Sequence, residues 1–211
     1  VYLSRAIKLN NNEWNVFHNR GLTYFYLENW QKSNSDYKEA IKRNPDNENL
    51  LICYEQLSLI NIKLKNFKEV EKYAKKGLLL SIKNNWDGES KLTDEEKEKI
   101  NKYWLLFLGF ANIKLNNFEK AEYWLDQINF LYINRPNIRS GELICRAFTL
   151  TRLNKYDKAL EYIDEAFRHK RVFGWDFIFS EISELINEFP VAMKNIIRIK
   201  QQSLLMEKIK K

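Results

Sequence analysis

Residues 14–47 read WNVFHNRGLTYFYLENWQKSNSDYKEAIKRNPDN, and the placing of small and large side chains in this stretch decides the fold. Apolar residues recur at helical spacing before Leu27 and again after Trp30, so two amphipathic helices flank the short polar step Leu27-Glu28-Asn29. Beyond Trp30 come small Ser33, bulky Tyr37 and small Ala40, at intervals that put them on one face of the second helix. Two helices joined by a tight turn approach closely only where small side chains meet, and larger ones three or four positions away fill the space beside them. Pro45 ends the stretch, where a helix stop is expected.

The arrangement returns three times. Leu64-Lys65-Asn66-Phe67, Leu115-Asn116-Asn117-Phe118 and Leu153-Asn154-Lys155-Tyr156 align with Leu27-Glu28-Asn29-Trp30. Val70, Ala121 and Ala159 then stand where Ser33 does; Ala74, Leu125 and Ile163 match Tyr37; Gly77, Ile128 and Ala166 match Ala40. The turns are built from Asn and Lys, and Asn readily takes left-handed or capping geometry. One such helix pair cannot bury its apolar face alone, so neighbours must stack. The aligned aromatics lie 37, 51 and 38 residues apart, which leaves an insertion at 85–101. Gly88 and Ser90 mark a loop there, and Thr93 with Glu96 forms a capping box, so a helix is expected to start near Asp94 and run into the third unit.

Composition narrows the function classes. Of 211 residues, 45% are apolar and 30% charged, enough for a core beneath a charged surface. Three prolines and six glycines are too few for the many tight turns of a β-rich fold. No apolar run reaches membrane-spanning length. The net charge of +7 arises from 35 basic residues interspersed with 28 acidic ones, which reads as solubility; nucleic acid is an unlikely partner, and RNA would have to use the basic tail around Lys194, Arg198, Lys200, Lys208 and Lys210. Cys53 and Cys145 fall within helical patterns and are expected to be buried thiols, in keeping with a cytoplasmic protein. No glycines form a phosphate-binding loop, and His18 and His169 stand apart from any ligand cluster. The carboxylate runs Asp94-Glu95-Glu96 and Glu181/Glu184/Glu188 read as solvated faces or helix N-termini. Neither a catalytic residue, a metal nor a cofactor is expected, and the chain does not read as an enzyme.

Residues 14–47 resemble the tetratricopeptide-repeat family: Phe17, Arg20-Gly21, Tyr24, Leu27, Trp30, Tyr37, Ala40 and Pro45 stand at its spacings, with Ser33 where that family prefers Ala. The third unit carries Gly109, Leu115, Phe118 and Ala121; the second and fourth are looser, the second with Ser58 for Gly and Val70 for Ala. The resemblance implies an all-α fold, a right-handed α-α superhelix of helical hairpins over residues 1–173, with a period of about 34 residues. Its units would span about 14–47, 51–84, 102–135 and 140–173. Residues 1–13, with Leu3, Ala6 and Leu9, are expected to be the second helix of a preceding unit. Residues 174–211 would supply C-terminal capping helices: a periodic stretch from Trp175 to Glu188, a break at Pro190, and a final amphipathic helix from Val191 to Lys211.

The same resemblance implies a protein–protein interaction scaffold that binds a partner protein or peptide in a concave groove; the alternative is the peptide- or ligand-sensing part of a larger regulator. In the family the first helix of each unit lines the groove. Carried over residue by residue, the lining comprises His18, Asn19, Leu22 and Tyr26, then Ile52, Gln56, Leu59 and Lys63. The third unit adds Tyr103, Phe107, Phe110 and Lys114, and the fourth Ile144, Phe148 and Arg152. Lys63, Lys114 and Arg152 share one repeat position and read either as a basic stripe suited to an acidic partner or as cations offsetting helix dipoles. Tyr103 to Phe110 is apolar all round, so either the tail or the insertion covers it or it presents a patch to a partner. A clamp for a partner's C-terminal carboxylate, known in the family, is incomplete: Asn19 fits, but Ile52 and Gln56 replace its Lys and Arg.

Overall fold

A computed structural model describes residues 13–86, 94–128, 136–173 and 181–209, and all regular structure among them is helical. The helices are α1 (Trp14–Tyr26), α2 (Trp30–Lys42), α3 (Asn47–Lys63), α4 (Phe67–Trp86), α5 (Asp94–Lys114), α6 (Phe118–Asp126), α7 (Pro136–Arg152), α8 (Tyr156–Phe173), α9 (Ile182–Glu188) and α10 (Val191–Ile209). Two compact units divide the chain, Val1–Ala111 and Asn112–Lys211. The helix expected before residue 13, the loop at Gly88 and Ser90, the Thr93 half of the capping box and the periodic stretch that opens at Trp175 lie outside the described residues.

Four aligned turns have one geometry. Glu28, Lys65, Asn116 and Asn154 each take a left-handed backbone, with φ between 52 and 60° across all five positive-φ side-chain positions, Asn44 among them. The amide of the next residue then reaches back to a carbonyl five positions earlier: Asn29 to Tyr24, Asn66 to Asn61, Asn117 to Asn112 and Lys155 to Leu150, at 2.8–2.9 Å. These are Schellman turns, which satisfy the last carbonyls of the first helix. Asn29 at once caps the second helix, its side chain accepting from the Lys32 amide at 3.2 Å. Glu28 and Lys65 adopt the left-handed conformation without the help an Asn side chain has, at a cost of roughly 1–2 kcal/mol each, so the hairpin packing must supply it.

That packing follows the second-helix pattern. Ser33, Val70, Ala121, Ala159, Tyr37, Ala74, Leu125, Ile163, Ala40, Gly77, Ile128 and Ala166 are all buried. Ser33 departs from the family's Ala for a visible reason: its hydroxyl donates to the Gly21 carbonyl of α1 at 2.8 Å. A Cβ on Gly21 would lie 3.0 Å from the Tyr37 ring, so the two helices meet there with no room for a side chain. Arg20 clasps the buried Asp36 across the same hairpin through two 2.6 Å hydrogen bonds.

In the first unit α1 packs on α2, α2 on α3 and α3 on α4. Trp104 of α5 lies over Gly77 of α4, and Phe67 meets Phe110 edge-on with ring centroids 6.0 Å apart. In the second unit α7 packs against both α6 and α8, while α9 lies on α7 and α10 on α8. Helix α5 begins at Asp94, as the insertion's pattern implies; it has 21 residues against 13 for α1 and 17 for α3 and α7. Pro190 separates α9 from α10, and Phe189 before it is extended.

Replacing a mid-helix glycine by alanine ordinarily stabilises by roughly 0.5–1 kcal/mol. Gly77→Ala should do the reverse, because the new methyl would lie 2.5 Å from the Trp104 ring. We expect a loss of about 1–3 kcal/mol in urea unfolding; a gain in stability would contradict the packing of α5 on α4.

Candidate partner-binding surface

The first helices of the first unit carry side chains of two kinds at the positions the repeat assigns to its lining. Asn19 and Tyr26 of α1 are exposed, Tyr26 by 77%, and Leu22 is half-buried. His18 is held in aromatic packing, its ring edge-on to Trp14 at 5.8 Å and to Tyr37 at 5.3 Å. On α3, Ile52 is 42% exposed, Lys63 is exposed, and Gln56 and Leu59 are half-buried. Tyr26 and Ile52 are thus large apolar side chains left to solvent on successive first helices.

The apolar stretch Tyr103–Phe110 is different. Trp104, Leu105, Leu106, Phe107, Leu108 and Phe110 are all buried, and only Tyr103 is half-exposed, packed edge-on against Phe107 at 5.1 Å. The stretch is covered, and the cover seen at Trp104 and Phe110 comes from Gly77 and Phe67 of α4. Phe107 and Phe110, read from the repeat as lining residues, are core side chains here.

In the second unit the chain's own tail covers two of the lining positions, Phe148 and Lys114. Ile144 and Phe148 of α7 are buried. Phe189 meets Phe148 edge-on, rings perpendicular and centroids 5.2 Å apart. Lys114, at the end of α5, donates to the Glu188 carboxylate at 2.5 Å and is only 14% exposed. Arg152 lies over the Phe118 ring at 4.9 Å. Lys114 is thus engaged within the molecule, whereas Arg152 stays exposed above the Phe118 ring.

Helix α7 also holds a charge network that the repeat pattern does not announce. Glu142 is fully buried between Arg139 and Arg146, the latter at 2.6 Å. Arg146 continues to the Asp126 carboxylate at 2.6 Å, to the carbonyls of Leu125 and Ile128, and beneath the Tyr162 ring. It thereby satisfies carbonyls at the C-terminal end of α6, a helix of nine residues. Burial pushes the Glu142 carboxyl above its usual range against the pull of Arg146 and Arg139. The signal was present as Arg139, Glu142 and Arg146, three and four residues apart in the sequence of α7. A small cleft of about 60 Å³ beside Arg146, lined by Glu122, Leu125, Thr149 and Tyr162 among others, has room for little more than water.

Both cysteines are free and buried, and desolvation raises each thiol, Cys53 to about 12. Among the described residues no group of three or more His, Cys, Asp or Glu is placed to hold a metal, and no helix is long and apolar enough to cross a membrane.

Comparison with known proteins agrees with this architecture. Residues 14–47 match the tetratricopeptide repeat. The match covers one repeat, and the resemblance of the remaining helix pairs to that family is one of fold. The chain is similar in fold to YrrB, a TPR protein with an unusual peptide-binding site: the TM-score is 0.54 at 13% identity, over 98% of this chain and 97% of that one. A looser match is yeast Tom70, with a TM-score of 0.35 at 18% identity, covering 46% of that chain. No curated protein sequence matches significantly. Tetratricopeptide repeats are in general protein-interaction scaffolds, and the family match falls on the unit that carries exposed Tyr26.

Arg146→Met should cost about 3 kcal/mol, because it removes the nearer partner of a buried carboxylate and the cap of α6. Adding Glu142→Gln should restore part of the loss, a coupling that a double-mutant cycle in urea would read; additive losses would contradict the network.

Proposed function

We propose that this tetratricopeptide-repeat protein is a non-catalytic scaffold that binds a segment of a partner protein along the first helices of its repeats, entering at α1 and α3. The exposure of Tyr26 and Ile52 carries the reading: both stand at lining positions, and neither is drawn into the core as Phe107 and Phe110 are. A buried aromatic anchor surrounded by hydrogen-bonding groups is the usual source of affinity in such a contact. Asn19 and Lys63 supply polar groups on the same two helices, and the lysine suits a partner of acidic character. The likeness in fold to YrrB, a TPR protein with an unusual peptide-binding site, supports the reading. Two buried, unpaired thiols suit a reducing compartment such as the cytoplasm.

The test compares the intact chain with Tyr26→Asp plus Ile52→Asp, both made at exposed positions so that folding is undisturbed. Leu79→Asp serves as control, since Leu79 is 67% exposed on α4, a second helix. Partner proteins recovered by co-purification should fall by about tenfold or more for the double variant, the loss of a hot-spot contact, and remain unchanged for Leu79→Asp. Equal recovery by all three would overturn the assignment to the first helices.

A further inference from the structure

The second unit closes its own lining, and the means by which it does so identifies the ligand chemistry of that site. Helix α9 has seven residues, far below the length at which a helix persists alone. It is held by Ile182, Leu185 and Phe189, all buried, and by the ion pair from Glu188 to Lys114. The next helix docks elsewhere: α9 lies on α7, whereas α10 lies on α8, with Lys200 paired to Asp164 at 2.5 Å. An extended Phe189 and then Pro190 separate the two helices. Lys114 and Phe148, the two residues that α9 covers, stand at repeat positions equivalent to lining positions of the first unit.

We propose that α9 is a displaceable internal ligand, and that the site it occupies receives a partner segment in which an acidic residue is followed directly by an aromatic one. The carboxylate of that pair replaces Glu188 on Lys114, and the ring replaces Phe189 against Phe148. Both groups must be present, since Phe148 offers an apolar seat and Lys114, largely removed from solvent, needs a counter-charge. A tethered segment competes at an effective concentration of the order of millimolar, so the intact chain binds the free ligand weakly until the tail is released. The inference rests on reading first-helix faces as binding surfaces, but concerns different residues from Tyr26 and Ile52.

The probe is a fluorescent decapeptide with this chain's own residues 181–190, EISELINEFP, titrated against the intact protein. Glu188→Ala with Phe189→Ala should bind it at least about tenfold more tightly than the wild type, the relief of tethered competition. Adding Lys114→Glu should abolish that gain. No binding to the folded double variant would overturn the proposal. Hydrogen exchange on the wild type needs no core substitution: α9 amides should exchange about a hundredfold faster than those of α7, as a locally opening segment does. Glu188→Lys, at a half-exposed position, should speed α9 further and leave α7 and α8 unchanged. Protection of α9 equal to that of α7, insensitive to Glu188→Lys, would make it a fixed cap and overturn the proposal. If the decapeptide binds as expected while Tyr26→Asp plus Ile52→Asp leaves partner recovery unchanged, the first-unit site fails and this one stands.

Discussion

The close approach of two helices at small side chains is the constraint on which the structure depends. Where Gly21 faces Tyr37 an added methyl carbon would lie only 3.0 Å from the ring, and the Ser33 hydroxyl uses the same proximity to reach the Gly21 carbonyl. Such contact distances return dispersion energy from many atom pairs at once. They also offset the left-handed strain at Glu28 and Lys65, two residues with no conformational reason of their own to be there. The turn and the seam are therefore one device. The turn sets the angle of return, and the seam supplies the energy that keeps the turn in place.

Once hairpins of this kind stack, the outward-facing side of each first helix becomes the variable surface. Its state depends on what the rest of the chain offers it. In the first unit Tyr26 and Ile52 remain open to solvent. In the second the tail reaches Phe148 and Lys114 and takes them out of solvent. A lining position can thus be exposed or buried. Sequence distance does not decide which, since Glu188 lies 74 residues from the lysine it pairs with.

That explains which parts of this protein were legible in its sequence. The second-helix positions from Ser33 to Ala166 could be read as buried because their environment is local: the partner helix is one turn away in sequence. The start of α5 at Asp94 was equally plain. The lining was harder. Phe107, Phe110, Ile144 and Phe148 stand in the family's lining register, yet their exposure is set by segments far along the chain, to which a repeat pattern is blind. Tyr103–Phe110, apolar all round, already hinted at cover without saying that none of it would be left as a patch. The Arg146 network escaped for a related reason. Its charges lie at ordinary salt-bridge spacing, and only the burial of Glu142 and the cap on α6 distinguish them from a solvated helix face.

The central claim is that first-helix lining positions are open at Tyr26 and Ile52 and closed at Phe110 and Phe148. Hydroxyl-radical footprinting of the intact chain, read residue by residue by mass spectrometry, tests it without any substitution. Tyr26 should be oxidised at least about tenfold faster than Phe148, Phe189 or Phe110, since side-chain reactivity follows exposure and these are 77, 3, 1 and 0% exposed. Comparable oxidation of Tyr26 and Phe148 would contradict the account.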